Sequence, residues 1–201
     1  TDLDQPSEFV SWVSSRIPEN ADILDLGAGL AHNALAFARA GHLVVAADYA
    51  RFTFRRATER ARSEGLDVKF INLNLRSLRN TLSGLARIVR WQPGPRVLFS
   101  AGLIESLDAA ARLNLRQVLK YYGRPGDQIF LEFSPGIPAK HDPWQGGARV
   151  RVEIADVHAW LREAGAVIEE SEAGGMAIDG RPTHRIRARY GTARTESRSA
   201  S

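Results

Sequence analysis

The stretch ILDLGAGLAHNAL, residues 23–35, joins a short apolar run to a helix-like segment through a turn with two glycines. Gly27 and Gly29 follow the apolar run directly, so the backbone there can approach a ligand without an intervening Cβ. A buried strand, a glycine turn and a helix in this order are typical of α/β folds that hold a nucleotide beyond the carboxyl ends of parallel strands. The stretch therefore predicts such a sheet, with a nucleotide-like ligand at this turn.

The rest of the chain continues the alternation of apolar runs and helix-like segments. The runs predict strands in ADILDL, HLVVAAD, DVKFINLN, RVLFSAG and DQIFLEF, and the segments between them predict helices in AHNALAFARA, in RFTFRRATERARSE and from about Asp108 to Tyr122. Strands that are apolar throughout favour a parallel sheet covered by helices on both faces. A helix in SEFVSWVSSRI, ended by Pro18, precedes the first strand.

The end of the predicted sheet differs from its beginning. After a helix in ADVHAWLREAG, the strands AVIEES and HRIRARY are less purely apolar and are joined by a short glycine-containing link, which indicates an antiparallel finish. The predicted fold class is α/β: a Rossmann-like, seven-stranded, mostly parallel doubly wound sheet with an antiparallel last strand. We expect a single domain with an N-terminal helix over residues 1–190, followed by a disordered tail over 191–201.

Composition excludes several classes of site. The 201 residues contain no cysteine, which removes disulfides, thiolate nucleophiles and cysteine-ligated metals. The apolar runs are too short to cross a bilayer and no signal-like segment precedes them, so we expect a cytoplasmic location and no membrane partner. The net charge of +4 is small, and nucleic acid is therefore not an expected partner.

Acidic residues near the glycine turn bear on the choice of ligand. Asp48 ends the second predicted strand, where a carboxylate can accept both hydroxyls of a ribose; this fits a dinucleotide and S-adenosylmethionine equally. A dinucleotide fingerprint needs a third glycine where this chain has His32, and it places a pyrophosphate at the helix start. At the mouth of that pocket Asp25 would oppose a pyrophosphate by several kcal/mol, on the order expected in a partly dehydrated site. S-adenosylmethionine instead offers an ammonium and a sulfonium, so the charges favour the methyl donor.

Residues 23–50 resemble the first conserved block of class I S-adenosylmethionine-dependent methyltransferases, whose pattern is an apolar strand, D-x-G-x-G-x-G, a helix, a strand and an acid. Ala31 stands where the third glycine is common. The resemblance implies S-adenosylmethionine as cofactor. It assigns cofactor binding to Asp25, Gly27, Gly29, Asp48, Tyr49 beside the adenine, and Asn74 at the adenine amino group, with Asn72 as the other candidate.

The segments after the fourth and fifth strands are expected to form the acceptor pocket, because those strand ends face the donor. The sequence SAGL after the fourth strand lacks the D/N-P-P-aromatic pattern of amino-methylating relatives. Carbon-5 pyrimidine methylation normally uses a cysteine, which is absent. Oxygen methylation with a general base is what chiefly remains.

His141 is the preferred base, since imidazole titrates near neutral pH and Asp142 flanks it. The alternative is an exposed loop histidine. Trp144, close by, is a candidate for stacking on a sugar or aromatic ring of the substrate.

Two glutamates are further candidates. Glu105 is a base, a metal ligand or a hydrogen-bond partner of the acceptor, or else an acid at a helix start. Glu132 is either an inward-facing substrate-binding acid, which we favour, or half of a buried pair. Oxygen ligands from Glu105, His141 and Asp142 would suit Mg²⁺, which stays open as a second cofactor.

These residues predict an O-methyltransferase that acts on a small hydroxylated acceptor, with a sugar or glycan end preferred. The chain as a whole also resembles small actinobacterial methyltransferases linked to polysaccharide or natural-product pathways. The alternatives are a phenol or other natural product as acceptor, RNA as acceptor, and a methyltransferase-like binding module without catalysis. The sequence leaves the oligomeric state open, a homodimer included.

Overall fold

The computed structural model describes residues 6–136, 151–177 and 180–191. The helices are α1 (Glu8–Ser14), α2 (His32–Arg39), α3 (Phe54–Glu64), α4 (Leu78–Trp91), α5 (Ala109–Tyr122) and α6 (Ile154–Glu163). The strands are β1 (Asp22–Leu26), β2 (Leu43–Asp48), β3 (Val68–Asn72), β4 (Arg96–Ala101), β5 (Gln128–Phe133), β6 (Ala166–Met176) and β7 (Pro182–Tyr190). Short 3₁₀ turns at Arg51–Thr53 and Ile104–Ser106 lead away from β2 and β4.

The strands form one seven-stranded sheet in the order β3-β2-β1-β4-β5-β7-β6. The pairs from β3 to β5 are parallel, and β7 runs antiparallel to both β5 and β6. The predicted fold class is confirmed. Strand order reverses between β1 and β4, and in open sheets a ligand binds in the crevice at such a switch point. The crevice therefore lies at the glycine turn that follows β1.

β1 divides the hydrophobic core because its successive side chains point to opposite faces of the sheet. Leu24 and Leu26 pack with α4, α5 and α6 on one face, while Ile23 packs with α1, α2 and α3 on the other. Both faces of the strand are buried, which explains why apolar residues occur on both of them: Ile23 on one face, Leu24 and Leu26 on the other. Asp25 is two residues after Ile23 and therefore lies on the same face of the sheet. Its carboxylate is directed to the side covered by α1, α2 and α3.

Helix α4 is absent from the order predicted from the sequence. Its buried residues, Thr81, Gly84, Leu85 and Ile88, follow helical spacing. Gly84 disfavours a helix interior by intrinsic propensity, but a Cβ there would lie 2.4 Å from Leu73 Cδ1. The glycine lets the helix approach the end of β3, and this tertiary requirement obscured the helical pattern.

The other helices begin and end close to the predicted positions. Asp108 caps α5 by accepting a hydrogen bond from the Ala111 N–H at 2.8 Å. Gly65 ends α3 in the left-handed conformation, with φ +66°. Within the described parts of the chain, no helix combines the length and apolar character that a membrane span requires.

Gly123 provides a test of the packing at the end of α5. Its φ of −88° suits any residue, but an added Cβ would lie 1.9 Å from Cε2 of the buried Tyr190 ring. We expect Gly123→Ala to lower the free energy of unfolding by about 2–3 kcal/mol through overpacking, as measured by urea denaturation. In a Tyr190→Ala background the same change should lower the free energy of unfolding by less than about 1 kcal/mol, because the ring that the added Cβ meets is absent. Equal costs in both backgrounds would contradict the steric explanation.

Candidate functional site

A cavity of about 440 Å³ opens at the carboxyl ends of β1, β2 and β3. Its walls come from the glycine turn, the segments after β2 and β3, and the segment from β4 to α5. The lining residues are Leu26, Gly27, Gly29, Ala47, Asp48, Tyr49, Leu73, Asn74, Leu75, Arg76, Gly102, Leu103, Ser106, Leu107, Asp108 and Ala111. Five of the six predicted cofactor residues therefore line one cavity.

The Asp48 carboxylate is held by the backbone of the glycine turn. Its Oδ2 accepts the Gly29 N–H at 2.9 Å, and its Oδ1 accepts the Ala50 N–H at 2.9 Å. The Thr53 hydroxyl lies 2.7 Å from both the Gly29 and the Ala50 carbonyl oxygens. A carboxylate accepts about four hydrogen bonds, so Asp48 is fixed in place with lone pairs to spare for hydroxyl groups of a ligand.

The two asparagines proposed for the adenine end have different positions. Asn74 lines the cavity, and its Oδ1 accepts the Arg76 N–H at 2.9 Å. Asn72 donates from Nδ2 to the Tyr49 carbonyl at 2.5 Å and borders a separate surface cavity beside α3. Of the two candidates, only Asn74 lines the main cavity, and Asn72 fixes the backbone of the neighbouring Tyr49.

Sequence analysis assigned the segment after β4 to the acceptor pocket but named neither Leu103 nor Arg76, which belong to the wall opposite the glycine turn. A Cβ on Gly27 would lie 2.8 Å from Leu103 Cδ1, so Leu103 packs directly against this glycine, whose φ is +80°. Arg76 and Asp108 form an ion pair at 2.8 Å that joins the segment after β3 to the start of α5. The segment after β4 and the helix start at Asp108 were the sequence signals for this wall.

Ala31 has φ +62°, the left-handed conformation that glycine adopts at no steric cost. It is fully buried and directly precedes α2. This conformation is the physical reason why glycine is common at the third position of the D-x-G-x-G-x-G pattern that residues 23–50 resemble. The left-handed backbone at Ala31 costs about 1–2 kcal/mol, and the alanine methyl group is buried.

Asp25 does not lie at the mouth of the cavity, which corrects the sequence-based expectation. It is 2% exposed and sits beneath the glycine turn, because its position on β1 directs it to the α2 face. Burial and the nearby charge of Asp48 raise the pKa of its carboxyl from 3.8 to about 7, against a hydrogen bond from the Ala34 backbone that lowers it. Oδ2 of Asp25 has no hydrogen-bond partner among the described residues. A buried carboxylate oxygen of this kind calls for a cation or a donor.

Glu105 lies in the 3₁₀ turn after β4 and is 5% exposed. Its Oε1 accepts the Ser134 N–H at 3.1 Å, which ties the end of β4 to the end of β5. Burial lowers the pKa of the neighbouring Arg112, and the charges of Asp156 and Glu105 oppose that shift. Glu105 therefore holds together the two segments that were predicted to form the acceptor pocket.

Glu132 is half of a buried pair and does not line the cavity. Its Oε1 accepts from Arg185 Nε at 3.2 Å and from the Thr183 hydroxyl at 2.9 Å. The physical reason is register: Glu132 and Arg185 are directly paired on β5 and β7 and share the face covered by α1. The expectation of a substrate-binding acid is corrected in favour of the alternative.

His141, Asp142 and Trp144 lie outside the described residues. Among residues 6–136, 151–177 and 180–191, no group of three or more histidines and acids is arranged to hold a metal ion. Glu105 is the one member of the suggested Mg²⁺ set that the structure describes.

Comparison with known proteins gives likeness at the level of structure. No protein-family model and no curated protein sequence matches the chain. A protein solved in work on the conversion of a disulfide bond into a thioacetal group during echinomycin biosynthesis has a TM-score of 0.70 and 18% identity, over 94% of this chain and 84% of that one.

Two further structures carry explicit functions. The 1,6-didemethyltoxoflavin-N1-methyltransferase of Burkholderia thailandensis, with bound S-adenosylhomocysteine, has a TM-score of 0.68 and 16% identity over 91% of this chain and 76% of that one. An S-adenosylmethionine-dependent methyltransferase of Methanosarcina mazei has a TM-score of 0.67 and 17% identity over 90% and 97%. The chain has the methyltransferase fold. At these identities, activity must be argued from the site.

Asp25 predicts an unusual pH dependence of stability in the ligand-free protein. Between its ordinary value of 3.8 and its folded pKa of about 7, the unfolded chain is ionised while the folded chain holds a proton. Stability should therefore fall as pH rises from 5 to 8, by about 2–3 kcal/mol from this group. Asp25→Asn should remove that part of the decline in urea unfolding at the two pH values.

The exposed carboxyl Asp67 supplies the matched control, since Asp67→Asn removes the same charge at the surface. This variant should keep the pH dependence of the parent. A parent and an Asp25→Asn protein with the same pH 5-to-8 difference would contradict the raised pKa.

Proposed function

We propose that the chain is an S-adenosylmethionine-dependent O-methyltransferase whose acceptor is a small hydroxylated molecule, with a sugar or glycan end preferred. The observation that carries the proposal is the cavity at the switch point of the sheet, with the fixed Asp48 carboxylate on one side and the buried Asp25 beneath the turn. The neighbours act on small molecules or are methyltransferases by name, which supports methyl transfer as the reaction class.

The described residues fit this cofactor group by group. Asp48 accepts the ribose hydroxyls, and Tyr49 and Leu103 supply flat and apolar surface for the adenine. Asn74 meets the adenine edge. Asp25, with its unpartnered Oδ2, attracts the cationic ammonium end through the glycine turn. When bound, the cofactor supplies a methyl group on a sulfonium centre.

The start of α2 argues against a dinucleotide. Helix N-termini bind a pyrophosphate through free backbone N–H groups. Here a backbone N–H of the first turn, that of Ala34, bonds to the Asp25 carboxyl, so the protein's own acid takes part of the anion site.

The acceptor groups belong to the segments that follow β4 and β5. Glu105 positions these segments relative to each other through the Ser134 N–H. His141 removes the proton of the acceptor hydroxyl as general base, Asp142 orients its ring, and Trp144 stacks on the acceptor. The activity assay below is run with and without Mg²⁺, to test whether the reaction needs this ion.

The proposed cofactor binding depends most on the Asp48 carboxylate. We expect Asp48→Asn to weaken S-adenosylhomocysteine binding at least about 10-fold in calorimetry, since charged hydrogen-bond acceptors contribute about 1.5–3 kcal/mol. Glu64→Gln, on an exposed acid of α3, removes the same charge away from the cavity and should leave the affinity unchanged. Binding by neither the donor nor its demethylated product would favour a non-catalytic module and overturn the proposal.

A radiolabelled-methyl assay against hydroxylated sugars, phenols and RNA, with and without Mg²⁺, tests the acceptor. We expect label on the hydroxylated sugars, and His141→Ala should lower turnover about 100-fold with unchanged donor affinity. Equal turnover would remove His141 from the mechanism. Label on phenols would select the natural-product alternative. Label on RNA, together with salt-sensitive binding, would select the nucleic-acid alternative.

A further inference from the structure

Three side chains from three different elements converge on one point of the α6 face of the sheet. His158 of α6 has its Nε2 2.9 Å from the Ser171 hydroxyl of β6. His184 of β7 has its Nε2 2.8 Å from the same oxygen. We call these residues the His158–Ser171–His184 cluster. None of them lines the cofactor cavity.

The cluster is fixed by the packing of regular elements. His184 pairs with Phe133 across β5 and β7, and their rings lie 6.1 Å apart on the core side. Ser171 follows Glu170, whose carboxylate turns to the opposite face and bonds to Arg16 and Arg187. Alternation along β6 therefore directs Ser171 towards α6. A helix and two strands hold the three side chains in place.

In the absence of a metal ion, one serine hydroxyl can hold both imidazoles by hydrogen bonds. The serine has one proton, so it donates to one Nε2 and accepts from the other, which must then carry the proton on Nε2. The two imidazole nitrogens also converge on one point within reach of an oxygen. Imidazole nitrogens are ligands that suit transition cations, whereas Mg²⁺ and Ca²⁺ prefer oxygen ligands.

We infer that the His158–Ser171–His184 cluster is a binding site for a divalent transition cation of the zinc class. The two Nε2 atoms are the protein nitrogen ligands, and the Ser171 oxygen and water complete the coordination. Zinc–nitrogen distances of about 2.0–2.1 Å place neighbouring ligands about 3.3 Å apart, so the exposed serine has to move by about half an ångström. The ion would link α6 to the β6–β7 hairpin. The inference is independent of the proposed methyl transfer.

Calorimetric titration of the untagged full chain with zinc chloride at pH 7.5 tests the site. We expect one saturable site, at least 10-fold weaker in either His158→Gln or His184→Gln. Glutamine keeps a side-chain amide near Ser171 but removes the imidazole ligand. His42→Gln changes a histidine that bonds to the Ala21 carbonyl beside β2, at the other side of the sheet, and should bind zinc as the parent does. Magnesium chloride should give no binding at this site.

Histidine ¹⁵N spectra of the parent give a second readout that needs no variant. Zinc should shift the Nε2 signals of two histidines together, and EDTA should reverse the shift. Thermal unfolding of the glutamine variants in EDTA checks that they fold. No saturable binding, or binding that both His158→Gln and His184→Gln retain, would overturn the inference, as would zinc shifts confined to other histidines.

Discussion

The hydrogen bond between the Gly29 N–H and the Asp48 carboxylate joins the two strands on which the cavity depends. It fixes the turn after β1 to the end of β2, and the Ala50 N–H holds the same carboxylate from the other side. Gly27, with its left-handed backbone and no Cβ, allows the turn to pass close to Leu103 across the crevice. The ligand side of the sheet is thus built from backbone groups around one acid, with few side chains that need to move.

The second acid of this region acts through its burial. Asp25 lies under the turn, near the charge of Asp48, and its raised pKa measures the cost of keeping a carboxylate there without a cation. A protein that stabilised itself alone would replace it by an apolar residue. Under the proposed function, a cationic ligand offsets this cost. If that proposal holds, stability and ligand binding are opposed at Asp25.

Sequence reasoning succeeded where a property is local. The apolar runs of β1, β2, β4 and β5, the glycine that ends α3 and the span of α5 follow from composition and short-range chemistry. It failed where distant segments meet. α4 was missed because Gly84 serves its approach to Leu73, and Glu132 was misassigned because its partner Arg185 lies on another strand.

The sequence by itself determined the fold class, the glycine turn and the acids that accompany it. Apolar runs, glycines and acidic residues are properties of short consecutive segments and can be recognised without the tertiary structure. Tertiary structure alone decided that Asp25 lies beneath the turn, that Asn74 rather than Asn72 lines the cavity, and that Leu103 closes its far wall. It also decided that two histidines from α6 and β7 meet at Ser171. Such contacts depend on strand order and face parity across the sheet, and these are set by the packing of the whole chain.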